Sequence, residues 1–270
     1  MKKTKIWVLL AVIAALLAVV LLLKNKPEEH RQENLPAQPA SEAQSGPGEL
    51  EDGAQAEFLP LDLDSIPGFI NGAADGRTAV CGLELPYRGP DTDLTIEGVG
   101  QYSGPFVEDG SDEPTANALA LVVKNDDAAL AEYAELTFAV GEGEQAVFQL
   151  SGVPGGEYVL VMEKNGRPFS DAEVLAYADS LYAARKDASM MADKIEVYTA
   201  DGALTAKNVS GQDLSTVYIR YKSQLIPRCY LGGITYSCKL EGIPAGQEKT
   251  AQTGHFSSNS SRIVMVETVD

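Results

Sequence analysis

The chain has 270 residues, and 39 Asp and Glu against 21 Lys and Arg leave a formal net charge of −18. A field of that sign repels nucleic acid and anionic lipid and attracts cations or a basic partner. The two histidines, His30 and His255, lie 225 positions apart and cannot form a His cluster by local spacing, and there is no Cys-x-x-Cys, His-Glu-x-x-His, Gly-x-Ser-x-Gly, Ser-x-x-Lys or phosphate-cradling glycine loop.

Met1-Lys-Lys-Thr-Lys5 leads into eighteen uncharged, mostly apolar residues, Ile6 to Leu23, closed by Lys24-Asn-Lys26. At about 1.5 Å per residue such a helix reaches about 27 Å, enough for the hydrocarbon core of a bilayer. Residues 1–26 therefore read as an N-terminal transmembrane anchor. A cleaved signal peptide is the rival reading, but the run ends in Val-Val-Leu-Leu-Leu-Lys rather than in small-x-small, and no cysteine near its end could take a lipid. Lys2, Lys3, Lys5 and the α-amino group precede the span and Lys24 and Lys26 follow it, so the positive-inside rule places the N-terminus in the cytoplasm and the rest outside. Trp7, the single tryptophan, falls at the inner interface, where an indole is at home.

Residues 27–57 are rich in Pro, Ala, Gln, Glu, Ser and Gly, with hardly a large apolar side chain. They are expected to form a disordered tether with a reach between about 30 Å and about 90 Å. All 39 acidic residues follow residue 26, with only 16 of the 21 basic ones, so the expected external part carries −23. The acidity is concentrated in its first half, where Leu50–Ser170 has 22 acidic and 5 basic residues, while Lys194–Asp270 has 7 and 8. Solubility alone accounts for such a charge, and a basic partner or a cation accounts for it equally.

Beyond the tether the chain repeats itself. Leu121-Val-Val-Lys-Asn-Asp-Asp, Tyr133-Ala-Glu-Leu-Thr-Phe-Ala-Val and Val147-Phe-Gln-Leu-Ser-Gly-Val-Pro-Gly-Gly156 parallel Leu204-Thr-Ala-Lys-Asn-Val-Ser-Gly, Val217-Tyr-Ile-Arg-Tyr-Lys222 and Thr235-Tyr-Ser-Cys-Lys-Leu-Glu-Gly-Ile-Pro-Ala-Gly246. Each copy offers a strand ending in Lys-Asn, a polar turn, an alternating strand, and a strand running into Gly-(Val/Ile)-Pro-x-Gly, after which Tyr158–Met162 or Arg262–Val266 follows as the next strand. Val217, Ile219 and Tyr221 alternate with Tyr218, Arg220 and Lys222, which predicts a strand buried on the first face and solvated on the second. The expected fold is all-β, with two tandem immunoglobulin-like β-sandwich modules over 58–169 and 191–270. A short amphipathic helix over 170–190 joins them, with a capping box at Ser170-Asp-Ala-Glu173 and an apolar face of Val174, Leu175, Ala178, Leu181 and Tyr182.

Ala206-Lys-Asn-Val-Ser-Gly-Gln-Asp-Leu-Ser-Thr-Val-Tyr-Ile-Arg-Tyr-Lys222 with Leu240-Glu-Gly-Ile-Pro-Ala-Gly246 resembles the FxLYD-type immunoglobulin-like modules of membrane-anchored surface proteins of Gram-positive bacteria. The likeness covers the second module and, more faintly, part of the first, and Tyr230-Leu-Gly-Gly-Ile-Thr-Tyr236 departs from the family's Phe-x-Leu-Tyr-Asp ending. It implies a non-enzymatic extracytoplasmic module and carries over no functional residue.

Three groups of residues are candidates for a site. Tyr218, Tyr230, Tyr236, His255 and Phe256 offer aromatic surface for a protein partner, with core packing as the bland alternative. Glu108, Asp109, Asp112 and Glu113, around Gly110, offer oxygens to calcium, or simply a solvated loop. Cys229 and Cys238 would face each other across a hairpin turning at Gly233 and form a disulfide, with two buried thiols as the alternative, leaving Cys81 over. The reading that emerges is a non-catalytic interaction or scaffold protein with a protein partner at the cell surface. A cell-wall or glycan-binding surface module, calcium-dependent or not, is the second reading, and an Asp–His–hydroxyl arrangement around His255 would mark a third, catalytic one.

Overall fold

The computed structural model describes residues 60–72, 82–141, 143–170 and 174–269. The expected anchor and tether, Cys81 and residues 171–173 of the capping box lie outside the described residues. Among the described residues no helix is long and apolar enough to cross a membrane. Leu59–Asp270 is one compact unit, and its described residues form strands and a single 3-10 turn, Leu63–Ser65.

In chain order the strands are β1 (Phe69–Asn71), β2 (Tyr87–Arg88), β3 (Leu94–Phe106), β4 (Glu113–Asn125), β5 (Leu130–Val140), β6 (Glu144–Val153), β7 (Tyr158–Met162) and β8 (Leu175–Arg185). They continue as β9 (Ile195–Ala200), β10 (Ala203–Asn208), β11 (Leu214–Ile226), β12 (Cys229–Leu231), β13 (Tyr236–Ile243), β14 (Glu248–Gln252) and β15 (Ser261–Val269). In the N-terminal half β3, β4 and β7 form one sheet, bordered by β1 and β2, and β6, β5 and β8 form another. A core of Ile96, Leu121, Leu136, Phe138, Phe148, Val161 and neighbours is shared between them. In the C-terminal half β9, β10 and β14 form one sheet and β13, β11 and β15 the other, around Leu204, Ile219, Leu240 and Val266. The sheets are open, and the architecture is sandwich-like.

The repeat is thus carried by topology as well as by letters. In each half a hairpin (β3–β4, then β9–β10) takes a later strand (β7, then β14) on its second member, and a central strand (β5, then β11) lies between two others (β6 and β8, then β13 and β15). A pair of equivalent asparagines ties each copy together. Asn125 and Asn208 are fully buried. The Asn125 amide donates to Ala129 O (2.8 Å) and Val153 O (2.9 Å), and the Asn208 amide to Gln212 O (2.6 Å) and Ile243 O (2.8 Å). Val153 and Ile243 precede the prolines of the two bends, and the closing glycines, Gly156 and Gly246, donate their N–H back to the same asparagines' carbonyls. One side chain links strand end, polar turn and bend, which is why Lys-Asn and Gly-(Val/Ile)-Pro-x-Gly recur as a pair.

The expected helix over 170–190 is corrected. Leu175–Arg185 is a strand, paired antiparallel with β5 from Leu130↔Arg185 to Val140↔Leu175. It is the counterpart of β15, so the first copy runs on through Arg185 and β7 corresponds to β14. The physical reason is that β5 needs a ladder partner and the first core needs the side chains: Leu175 is buried in it, and the ring of Tyr177 sits 6.2 Å from that of Phe138. A register shift opposite Thr137/Phe138 changes the inward spacing from two to three residues, and an irregular strand spacing imitates a helical one.

β12 is the piece without a counterpart in the first copy. It leaves the C-terminal half and pairs parallel with β7, Cys229↔Tyr158 to Leu231↔Leu160, joining both halves into one nine-stranded sheet. A further core of Tyr102, Ala120, Val122, Leu160, Met162, Cys229 and Leu231 fills the space beneath this junction. β7, Tyr-Val-Leu-Val-Met, is consequently buried along its whole length, as a continuous apolar run requires.

Candidate functional site

The junction between the halves is where chemically unusual groups gather. After β12 the chain runs through Gly232-Gly233-Ile234-Thr235 into β13, on the same side of β11 as β12. The two glycines are dictated by proximity. A Cβ on Gly232, which holds φ +74°, would meet the Val107 side chain at 2.0 Å, and one on Gly233 would stand 1.6 Å from Gln149 O of β6. Ser151 N on β6 donates to Gly233 O at 2.7 Å, and the Ser151 hydroxyl bonds Thr235 at 3.0 Å. The edge of β6 is thereby covered, which removes an open ladder that could recruit another chain.

Lys222 of β11 is fully buried behind this connector. Its ammonium donates to four backbone carbonyls, Ser151 at 3.0 Å, Gly232 at 3.1 Å, Gly233 at 3.2 Å and Ile234 at 2.7 Å. Three protons serve four acceptors, so at least one bond is shared. The half-buried Glu108, after β3, turns its carboxylate inward. It accepts from Met162 N at 2.9 Å and from Gly233 N at 3.1 and 2.9 Å. Gly233 therefore gives its N–H to an acid from one half and its carbonyl to a base from the other. Burial drives the Glu108 carboxyl up to about 7 against the opposing pull of the Met162 and Gly233 amides and of Lys222. Burial likewise drives Lys222 down to about 7, with Glu108 acting the other way. A shallow cavity of about 140 Å³ opens beside them, lined by Glu108, Tyr133, Gln149, Lys164, Gly233 and Ile234.

Farther out along the same junction Asp112, in the loop between β3 and β4, holds two groups of the other half. His255 Nδ1 lies 2.9 Å from Asp112 Oδ2, and the Tyr236 hydroxyl donates to Oδ1 at 3.2 Å. The His255 ring stacks on Tyr236 (4.7 Å, 13°), Tyr236 stacks on Tyr221 (5.4 Å, 21°), and Phe256 meets Tyr221 edge-on at 5.2 Å. Burial, then Asp112, hold the Tyr236 phenol well above its ordinary range. On the opposite flank, Arg185 of β8 and Arg220 of β11 share Glu267 at 2.7 and 2.6 Å.

Of the five aromatic candidates, Tyr236, His255 and Phe256 come together around Tyr221. Tyr218 stands half-exposed on β11, opposite Lys239 and Glu267. Tyr230 is 6% exposed in the core of the N-terminal half, and Phe256 is 5% exposed in that of the C-terminal half, so neither offers open surface. The acidic quartet does not converge. Glu108 serves backbone amides, Asp109 caps Ser111 N, Asp112 holds His255 and Tyr236, and Glu113 opens β4. Among the described residues no three His, Cys, Asp or Glu side chains meet as a metal site.

The expected disulfide is corrected as well. Cys229 and Cys238 are free and buried. The hairpin turns at Pro227-Arg228, not at Gly233, so Cys229 pairs with Ile226 and Cys238 with Ile219 on the same side of β11. Seven residues of strand separate those partners, roughly 20 Å, far beyond the Cα spacing a disulfide spans. His255 has its carboxylate in Asp112, whose other oxygen takes the Tyr236 hydroxyl, and Nε2 has no hydrogen-bond partner among the described residues.

The alternation places Lys222 on the face of β11 opposite Tyr221, which reads as solvated; the connector 232–234 and Ser151 of β6 cover that face at this point, and nothing local announces the cover. The paired Gly232-Gly233 was the available signal, since adjacent glycines inside a strand run mark close backbone approach.

No family model, no curated protein and no solved structure matches the chain.

Proposed function

We propose that the chain is a membrane-anchored extracytoplasmic scaffold without catalytic activity, in which two immunoglobulin-like modules are fused into one stiff arm that presents a surface to a protein partner. The observation that carries this reading is the pairing of β12 with β7, which makes one sheet of two repeats. Flexible tandem modules leave a linker between them, whereas here backbone ladders, a carbonyl-caged lysine, the Arg185–Glu267 ion pair and the His255–Asp112 contact cross the junction. The hydrophobic run of residues 6–23 supports a single span with the N-terminus inside, and the acidic excess of the first repeat supports a partner of basic character. The resemblance to FxLYD-type modules points the same way.

The test is in-cell photo-crosslinking of the full-length protein from half-exposed Tyr218 and from Leu181, which is 58% exposed on β8. Recovery of the same surface protein from one or both positions, lost when the bait is supplied without its first 26 residues, supports the reading. Crosslinks confined to lipid and wall polymer refute it.

A further inference from the structure

The junction holds an acid and a base turned toward one backbone unit, flanked by an Asp–His contact that also crosses between the halves. Glu108 and Lys222 grip the N–H and the carbonyl of Gly233 respectively. Opening the junction would return both to water. We propose that the junction is a proton-operated lock: acidification discharges the inward-turned Glu108 carboxylate, which draws the two halves together, whereas near neutrality they part more readily.

The geometry supplies each step. A protonated Glu108 keeps its carbonyl oxygen as an acceptor for the Met162 and Gly233 amides, so the hydrogen bonds survive while the desolvated negative charge disappears. Lys222 keeps its ammonium in the carbonyl cage in acid. His255 Nδ1, 2.9 Å from Asp112 Oδ2, adds a further contact between the halves. The other groups facing the pair are few. Asp109, on the same loop as Glu108, adds to the upward push on it. Lys164 and Tyr133 line the cavity. Tyr236 reaches the loop through Asp112. On β15, Arg262 lies opposite Lys222 but places its guanidinium on Ser261 O.

The sign follows from linkage. With the carboxyl near 7 in the closed junction and 4.5 in water, the closed form gains stability as pH falls from 7 toward 4.5 and loses it as pH rises through 7. Lys222, pushed down by its burial, acts in the opposite direction and offsets part of that gain.

The experiment is hydrogen–deuterium exchange of the full-length chain in detergent, corrected for intrinsic chemistry, at pH 5, 6 and 7. Protection of the segment 227–236 should rise several-fold, on the order of tenfold, between pH 7 and pH 5, while β10, in the core of the C-terminal half, changes far less. Glu108→Gln should flatten most of the rise. A wild-type profile that is flat, or that loses protection in acid, overturns the proposal, as does a full rise in Glu108→Gln. Should that variant not fold, the wild-type profile decides alone.

Discussion

Replacing Gly233 by alanine adds one methyl group at the tightest point of the junction. Gly233 has no left-handed backbone angle, so the effect is steric. The new carbon would stand 1.6 Å from Gln149 O, 2.7 Å from Gln149 C and 3.1 Å from Leu150 Cα, all of them backbone atoms held in the β5–β6 ladder. Relief requires a shift of about 2 Å to restore ordinary contact. Such a shift stretches the Ser151 N–Gly233 O bond and two charge-assisted bonds, to Glu108 and to Lys222, beyond bonding range. At about 1 kcal/mol for a neutral bond and about 1.5–3 for each charged one, less about 0.5–1 for the stiffer unfolded chain, the loss is about 3–6.5 kcal/mol. Urea unfolding should show it as a lower midpoint or as two separated transitions, one for each half. Gly254→Ala is the control, because a Cβ there meets nothing within 4 Å. It should stay within about 0.5 kcal/mol of the parent. A Gly233→Ala protein within about 1 kcal/mol of the parent would refute the close approach and the rigid junction with it.

Other expectations can be checked on the same material. Asn125→Ala and Asn208→Ala each strand two carbonyls and should cost about 2–4 kcal/mol by the same urea assay, in similar measure if the two copies are equivalent. Burial pushes the Glu267 carboxyl up, but the hydrogen bonds of Arg220 and Arg185 outweigh it and hold the carboxyl below its ordinary value, so its contribution is present above the unfolded pKa and is lost as pH falls through the folded one. Glu267→Gln should therefore destabilise the protein by about 1–3 kcal/mol at pH 7, and the difference from wild type should shrink in acid. Intact-mass analysis after alkylation should find Cys229 and Cys238 unreactive in the native protein at pH 8 and both modified in denaturant. Burial accounts for this by pushing the Cys229 thiol up to about 12.

The aromatic candidates show how far composition can go. Tyr236, His255 and Phe256 were visible as a group because turn chemistry brings 253–258 near a strand of the same repeat, but their anchor, Asp112, lies 124 residues before Tyr236. The acidic quartet was read as one cluster because its members are adjacent in sequence, and the fold gives each a different partner.

The sequence by itself determined the strands, the turns and the duplication, because alternation, Asn-capped turns and Gly-(Val/Ile)-Pro-x-Gly bends are local preferences written within ten residues. Only the tertiary structure decided that Leu175–Arg185 is a strand, that β12 crosses to β7, that Lys222 points inward, and that two cysteines nine positions apart cannot meet. Each of these depends on which distant backbone offers an unpaired edge or covers a face, and for β8 also on where a bulge shifts the register by one residue. A shift of that kind sends every following side chain to the other face, and no local preference records it.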